Sequence, residues 1–230
     1  MASDSPQGIS LHLPAIVIGG SGHAKVLVST LLMQHRRVLG FVDLDSELPP
    51  LLGLPHLGGD EAVLRHLPGQ VRLINGVGSV GSTALRQRVY ERFREQQYIF
   101  EPVIHTSSII ASDVHMEDGV QIMAGAVVQP GSLLGANVII NTGARVDHDC
   151  TIDAHAHIAP GVTLSGAVHI GSGAHVGAGA TILQGIEVGP RALVGAGAVV
   201  ITDVPEGVTV VGVPAVPLTK SVASRRQRIP

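Results

Sequence analysis

The polar side chains best suited to chemistry lie in one ten-residue segment, residues 141–150, which reads NTGARVDHDC. Within it, His148 stands between Asp147 and Asp149. A carboxylate beside an imidazole can fix its tautomer and make it a stronger base. The pattern therefore indicates a general base. The residues alone leave open the alternative that His148 is a solvated surface histidine.

A second polar segment is the glycine-rich run GGSGH at residues 19–23, which follows an apolar run and precedes a helix-like segment. Backbone N–H groups at such a turn can hold a diphosphate. Asp43, about twenty residues further on, could bind a ribose hydroxyl or a base edge. The G-x-G-x-x-G pattern of dinucleotide sites is incomplete, because Lys25 occupies its last position. A tight strand-to-helix connection is the structural alternative.

The glycine-rich run belongs to a segment in which strand-like and helix-like patterns alternate. Apolar runs at residues 15–18, 38–42 and 71–74 predict strands. Helical spacing of apolar residues over 23–34 and a charged amphipathic pattern over 82–97 predict two helices. Strand–helix–strand order implies a small parallel sheet.

The pattern changes at residue 104 to a period of six. Every sixth residue from Ile104 to Val200 is aliphatic or methionine, and the fifth residue of each hexad is small or β-branched. This period predicts a solenoid with three short flat faces and 18 residues per coil, with glycines at tight corners. We therefore divide the chain into an α/β domain (1–102), a solenoid domain (103–220) and a basic tail (221–230).

The composition fits a narrow, repetitive core, because aromatic residues make up only 2% of the chain and 29 residues are glycine. Cys150 is the one cysteine, so the chain has no disulfide framework and no cysteine-based metal site. Its thiol could carry an acyl group. It occupies the small inward position of its hexad, however, which favours a buried structural thiol and no covalent intermediate.

Charge and hydropathy exclude several classes of partner. The net charge of −3 gives no overall basic field for nucleic acid, and the cluster Arg225, Arg226 and Arg228 indicates a solvated tail. The N-terminus has Asp4 and lacks the basic region of a signal peptide. Apolar runs such as residues 26–28 are too short to span a membrane. We expect a soluble, cytoplasmic protein without nucleic-acid or membrane partners.

The hexads resemble the left-handed parallel β-helix of the hexapeptide acyltransferases. Residues 14–220 together resemble the sugar-nucleotide N-acetyltransferases that join a Rossmann-like N-terminal domain to such a helix, including those acting on a UDP-linked bacillosamine precursor and on GDP-perosamine. The sialic acid O-acetyltransferases share this architecture. The resemblance implies a homotrimer with active sites between neighbouring prisms, acetyl-CoA as co-substrate and no metal.

The resemblance also assigns catalytic roles within the ten-residue segment. His148 corresponds to the general base and Asp149 to the acid that activates it. The acid is Asp, as in the perosamine type, whereas the bacillosamine type has Glu. Because one coil has 18 residues, Gly166 should stack beside His148 and leave its N–H open to a thioester oxygen.

The remaining binding residues follow from the same resemblance. Gly166, His157, Ala178 and Ala196 correspond to residues that contact acetyl-CoA, and residues 212–215 (GVPA) resemble the segment near its adenine end. Packing alone would also explain small residues at these positions. Six residues correspond to the acceptor site, with the first three holding the acceptor and the others lining its nucleotide: Ser21, Gly22, His23, Asp43, Leu44 and Gly78.

The function predicted from these roles is acetyl transfer from acetyl-CoA to the 4-amino group of a nucleotide-linked deoxyamino sugar. O-acetylation of a sugar hydroxyl and a non-catalytic trimeric sugar-nucleotide-binding protein are alternatives that the sequence leaves open. A zinc hydrase on the same solenoid is a further alternative, although its His-x-x-x-x-His spacing is missing. It would draw on five histidines, His148, His155, His157, His169 and His175. The sequence does not identify the nucleotide base or the sugar stereochemistry.

Overall fold

A computed structural model describes residues 13–218. The predicted basic tail (221–230) and Asp4 lie outside the described residues. Neither described helix has the length and apolar character that a membrane crossing requires. Among residues 13–218 the architecture is an α/β region followed by a left-handed parallel β-helix of hexapeptide repeats, which confirms the predicted fold class.

The α/β region contains a three-stranded parallel sheet formed by β1 (Ala15–Ile18), β2 (Val38–Val42) and β3 (Arg72–Asn75), in the order β2-β1-β3. Helix α1 (Gly22–Met33) follows β1, a 3-10 turn spans Asp60–Arg65, and helix α2 (Ala84–Glu95) follows β3. The predicted parallel sheet is therefore present, with β3 one residue later than expected.

The central strand β1 is buried on both sides, which explains its uninterrupted apolar sequence. Ala15 and Val17 belong to a core cluster with the apolar side chains of α1. Ile16 and Ile18 belong to a second cluster with Tyr90 and Phe93 of α2. The two helices thus cover opposite faces of the sheet and hold the loops at its carboxyl edge.

The solenoid begins with seventeen two-residue strands, each formed by an outward residue followed by an inward one. They are β4 (Val103–Ile104), β5 (Ile109–Ile110), β6 (His115–Met116), β7 (Gln121–Ile122), β8 (Val127–Val128), β9 (Leu133–Leu134), β10 (Ile139–Ile140), β11 (Arg145–Val146), β12 (Thr151–Ile152), β13 (His157–Ile158), β14 (Thr163–Leu164), β15 (His169–Ile170), β16 (His175–Val176), β17 (Thr181–Ile182), β18 (Glu187–Val188), β19 (Leu193–Val194) and β20 (Val199–Val200). Strands β21 (Thr209–Val211) and β22 (Val216–Pro217) follow.

These strands form three faces of a prism. The first face contains β4, β7, β10, β13, β16, β19, β21 and β22; the second contains β5, β8, β11, β14, β17 and β20; the third contains β6, β9, β12, β15 and β18. Partners such as Ile139 and His157, or Arg145 and Thr163, are 18 residues apart, which confirms the predicted coil length.

The corners require two different kinds of glycine. Every fourth-position residue from Gly119 to Gly197 has a positive φ, including Asp149 at 58°. Glycines at the second position of the hexad, such as Gly135 and Gly171, do not have a positive φ, although a tight corner is the usual reason for one. A Cβ on Gly135 or Gly171 would instead come within 2.6 or 2.5 Å of the backbone of the next coil. These glycines allow the coils to stack closely.

The α/β region packs on the first face of the prism through buried polar contacts. The ring of His23 in α1 contacts Gln121 Oε1 at 2.7 Å, and Gln121 Nε2 donates to the Asn75 carbonyl at 2.8 Å. Thr83 Oγ1 donates to the Gly173 carbonyl at 2.8 Å. This packing brings the loops after β1 and β3 against the outward side chains of the first face.

Candidate active site

His148 projects from the edge between the second and third faces, and about half of its side chain is exposed. Its Nδ1 lies 2.8 Å from Asp149 Oδ2, and its backbone N–H donates to Asp147 Oδ1. The hydrogen bond to Asp149, followed by the charges of Asp147 and Asp149, raises the pKa of His148 above its usual value. With the Nδ1 proton held by Asp149, Nε2 carries the lone pair that can accept a proton.

Gly166 lies beside His148 on the next coil, as the 18-residue repeat predicts. A Cβ at position 166 would come within 2.4 Å of His148 Nε2 and 2.5 Å of Cε1. The absence of a side chain here therefore leaves the basic nitrogen unobstructed. Cys150, on the same edge, is buried, and burial raises the pKa of its thiol. The predicted buried thiol is thus confirmed.

A separate cleft of about 580 Å³ lies where the α/β region meets the first face. It is lined by the start of α1, the loop after β3 and two polar side chains of the solenoid. Four of the six predicted acceptor residues line it: Ser21, Gly22, His23 and Gly78. His157, predicted to contact acetyl-CoA, lines the same cleft. His148 does not.

Asp43 and Leu44 lie outside the lining of this cleft. The Asp43 carboxylate accepts hydrogen bonds from the backbone N–H of Gly20 at 2.7 Å and of Asp45 at 3.0 Å. Asp43 thus holds the glycine-rich turn in place. The same turn forms a tight connection between β1, which ends at Ile18, and α1, which begins at Gly22. Leu44 is 86% exposed.

The histidines in this region are held neutral. Burial, with a smaller effect of the nearby Arg86 cation, lowers the pKa of His23 to about 4. Burial is also the largest cause that lowers the pKa of His157 to about 2, followed by the proximity of His175. The His157 and His175 rings meet edge to face with centroids 4.9 Å apart. Neither His23 nor His157 is charged at neutral pH.

Ala178 and Ala196 lie exposed on the edge between the first and second faces, one coil apart. The carbonyl of Ala178 accepts from Gly197 in the next coil at 2.8 Å. The predicted acetyl-CoA residues thus lie in three places: His157 is on the first face, and the other three divide between the two edges of the second face. Gly166 accompanies His148 on one edge, and the two alanines lie on the other, next to the cleft.

Sequence reasoning missed three residues that shape the cleft. Ser79 and Asn141 line it, and each contacts His157. Arg86 is buried and donates to the carbonyls of Asn75 and Val77, which fixes the loop after β3. Burial lowers the pKa of Arg86 to about 9. Asn141 belongs to the polar segment singled out above, whereas nothing in the charged pattern of α2 distinguishes Arg86 from its neighbours.

Two other features bear on the alternatives. A larger groove of about 660 Å³ on the third face contains none of the predicted site residues. The histidines of the zinc alternative are dispersed over two edges and two faces of the prism. Among residues 13–218, no group of three or more histidine, cysteine or carboxylate side chains is placed to hold a metal ion.

Comparison with known proteins identifies the family that has this combination of domains. Residues 15–93 match the PglD N-terminal domain, residues 113–148 match the bacterial transferase hexapeptide repeats, and residues 167–202 match a hexapeptide repeat of succinyl-transferase. The acetyltransferase domain of PglB from Neisseria gonorrhoeae, in complex with acetyl coenzyme A, is 35% identical over 90% of this chain and 100% of that one, with a TM-score of 0.84. This chain belongs to the PglD-type hexapeptide-repeat acetyltransferases.

Other structures support the same family assignment. PerB from Caulobacter crescentus, in complex with CoA and GDP-perosamine, is 34% identical over 93% of this chain and 100% of that one, with a TM-score of 0.84. WeeI from Acinetobacter baumannii is 25% identical over 90% of this chain and 100% of that one, with a TM-score of 0.75. The similarity of this PglD-type chain to all three extends across both the α/β region and the solenoid.

Proposed function

We propose that this PglD-type acetyltransferase transfers the acetyl group of acetyl-CoA to the 4-amino group of a nucleotide-linked deoxyamino sugar, with His148 as general base. The observation that carries the proposal is the dyad of His148 and Asp149, whose free Nε2 faces the open space beside Gly166. The acetyl-CoA bound to PglB and the GDP-perosamine bound to PerB support the choice of ligands.

The reaction is a direct transfer. The neutral amine nitrogen attacks the thioester carbonyl carbon, a C–N bond forms and the C–S bond breaks. His148 Nε2 takes the proton that the amine loses, and the departing thiolate of CoA is protonated to the free thiol. Asp149 holds the imidazolium that forms. The Gly166 N–H is the proposed donor to the oxyanion of the tetrahedral intermediate.

The proposed assembly is a homotrimer in which the site is shared between subunits. In one chain the acceptor cleft lies on the first face, next to the edge with Ala178 and Ala196, while His148 lies on the far edge of the second face. Within one chain the width of the second face therefore separates the cleft from His148. A neighbouring prism whose His148 edge faces the cleft would complete the site.

The experiment is thiol release from acetyl-CoA with UDP-, dTDP- and GDP-linked 4-amino-4,6-dideoxy sugars. We expect turnover with one of these amines and a decrease of about 10²-fold or more in His148→Ala, because general bases contribute about that much. His169→Ala is the matched control, since His169 Nε2 lies 3.0 Å from Asp153 in a similar exposed pair on the third face. Undiminished turnover in His148→Ala would refute its role as the base.

O-acetylation is the second candidate, because the same base and cleft can serve a hydroxyl. The experiment therefore includes the corresponding 4-hydroxy sugar nucleotides. Turnover with these alone would assign the protein to O-acetyl transfer. The absence of turnover with either class, together with retained binding of a sugar nucleotide, would favour a non-catalytic binding protein.

A further inference from the structure

Three side chains of the cleft, Asn141, His157 and Ser79, form a chain of hydrogen bonds. The donor and the acceptor of each bond can be deduced. Asn141 Oδ1 accepts from the backbone N–H of Thr142 at 2.8 Å. This contact fixes the orientation of the amide, so that Asn141 Nδ2 faces His157 Nε2 at 3.1 Å. An amide nitrogen only donates, and His157 Nε2 must therefore be the unprotonated nitrogen that accepts.

The charge state of His157 determines which of its ring nitrogens carries the proton. The imidazole is 5% exposed and neutral at physiological pH, since its pKa is lowered to about 2, mainly by burial. A neutral imidazole has one N–H, which must then be on Nδ1. This nitrogen lies 2.6 Å from Ser79 Oγ, so His157 donates and the Ser79 oxygen accepts.

The Ser79 hydroxyl proton cannot be donated to His157. Because the oxygen already accepts from His157, the Ser79 O–H must donate elsewhere. Within residues 13–218 the structure gives this hydroxyl no other hydrogen-bond partner. Ser79 is half-buried and lines the cleft beside Ser21, Gly22 and His23. Its proton is therefore available to whatever occupies the cleft.

We propose that Ser79 is a substrate-binding residue that donates a hydrogen bond to an oxygen of the nucleotide-linked sugar, with His157 and Asn141 as positioning residues that fix its polarity. The identity of the ligand rests on the proposed function. The choice of the sugar nucleotide over acetyl-CoA rests on the four predicted acceptor residues that line the same cleft as Ser79, namely Ser21, Gly22, His23 and Gly78. The direction of the hydrogen bonds between Asn141, His157 and Ser79 is a property of the free protein and does not depend on the ligand.

The binding test measures sugar-nucleotide affinity by calorimetry in the absence of acetyl-CoA. We expect Ser79→Ala to weaken binding about fivefold to tenfold, as for the loss of one hydrogen bond, and Ser79→Thr to retain most of the affinity. Ser29→Ala, on the exposed side of α1, is the matched control. His157→Asn, which keeps a donor near the position of Nδ1, should bind more tightly than His157→Ala.

Two readouts separate failure of the inference from failure of the proposed function. The tautomer of His157, measured by nitrogen-15 NMR of the free protein, should be Nδ1–H, and an Nε2–H tautomer would overturn the relay whatever the substrate is. Unchanged sugar-nucleotide affinity in Ser79→Ala would overturn the binding role, and so would a change confined to acetyl-CoA. A wild-type protein that binds none of the sugar nucleotides would overturn both the ligand assignment and the proposed function.

Discussion

His148 and Asp149 are neighbours in sequence, yet their side chains meet because Asp149 has a left-handed backbone. Its φ of 58° is the conformation that glycine has at most other corners of the prism. Aspartate tolerates this region better than most residues with a side chain. A position that normally only turns the chain therefore also carries a carboxylate, and this carboxylate makes the imidazole more basic.

Asp149→Asn should lower the pKa of His148, because it replaces a charged hydrogen-bond acceptor with a neutral amide oxygen and removes the negative charge that raises the pKa. The base must be neutral to act, so activity rises with pH through this pKa. We expect the acid limb of the pH profile of kcat/KM to move to lower pH in the variant, while the maximal rate decreases about tenfold or more. A limb that stays in place would show that Asp149 does not control His148.

Gly166→Ala should decrease activity and leave the fold intact. The new Cβ would lie 2.4 Å from His148 Nε2, which forces the exposed imidazole to rotate away. We expect kcat/KM to fall about 10²-fold, comparable to misplacement of a catalytic group. Gly69→Ala is the matched control, since a Cβ there meets no atom within 4 Å. Equal activity of both variants and the wild type would contradict the proximity argument.

At the scale of elements, the contact between the α/β region and the first face buries neutral histidines. His23 in α1 and His157 in β13 both lie in this contact, near the Arg86 cation and His175. These groups disfavour added positive charge. The stability of this contact therefore depends on the histidines remaining unprotonated.

Acidification should destabilise the protein. His23 and His157 have folded-state pKa values of about 4 and about 2, below the unfolded value of 6.5. The unfolded state therefore binds more protons below pH 6.5. We expect the free energy of unfolding to fall by roughly 1.4 kcal/mol per pH unit for each histidine between about pH 5.5 and 4.5. His148, whose pKa is raised, contributes to the pH dependence of stability with the opposite sign.

The measurement is denaturant unfolding at a series of pH values. Burial also lowers the pKa values of His155 and His175, so four histidines contribute to the slope with the same sign. His23→Gln removes one of them and should reduce the slope by its share. Ser29→Ala, an exposed change on α1 that removes no titratable group, should leave the slope unchanged. The expectation fails if His23→Gln and the wild type lose stability in parallel.

Two regular patterns, the alternation of strand-like and helix-like segments and the period of six, predicted the helices and strands. Neither pattern describes how the two regions contact each other, which is why the contacts of Asp43 and Ser79 were not predicted. The period of six predicted the coil length and the stacking of Gly166 beside His148, because these follow from repetition alone. The role of Asp43 in tethering Gly20, and the meeting of Ser79 with His157, depend on how two regions of different period pack together. Neither pattern contains that information.

At the scale of the whole molecule, the cleft and the base lie on different parts of the prism, and the proposed trimer reunites them. Gly22→Glu should block the cleft: a Cβ at Gly22 meets no atom within 4 Å, and the carboxylate would repel a diphosphate. His148→Ala removes the base. Each variant alone should be inactive.

Mixed trimers test whether the site is shared. Trimers reassembled from equal amounts of Gly22→Glu and His148→Ala subunits should regain about a quarter of wild-type activity, since that fraction of inter-subunit sites combines an intact cleft with an intact base. The measurement is thiol release after mixing, with each variant reassembled alone as the control. No recovery would show that each chain uses its own base.

The strand β22 has a consequence for how the protein behaves at high concentration. It pairs antiparallel with β21, whereas every other pair in the prism is parallel, and it contains Pro217. A stack of parallel coils otherwise ends in a row of unpaired backbone groups that a second molecule can extend. The reversed strand and its proline disfavour such end-to-end extension of the first face, so we expect little assembly of this protein into fibres at high concentration.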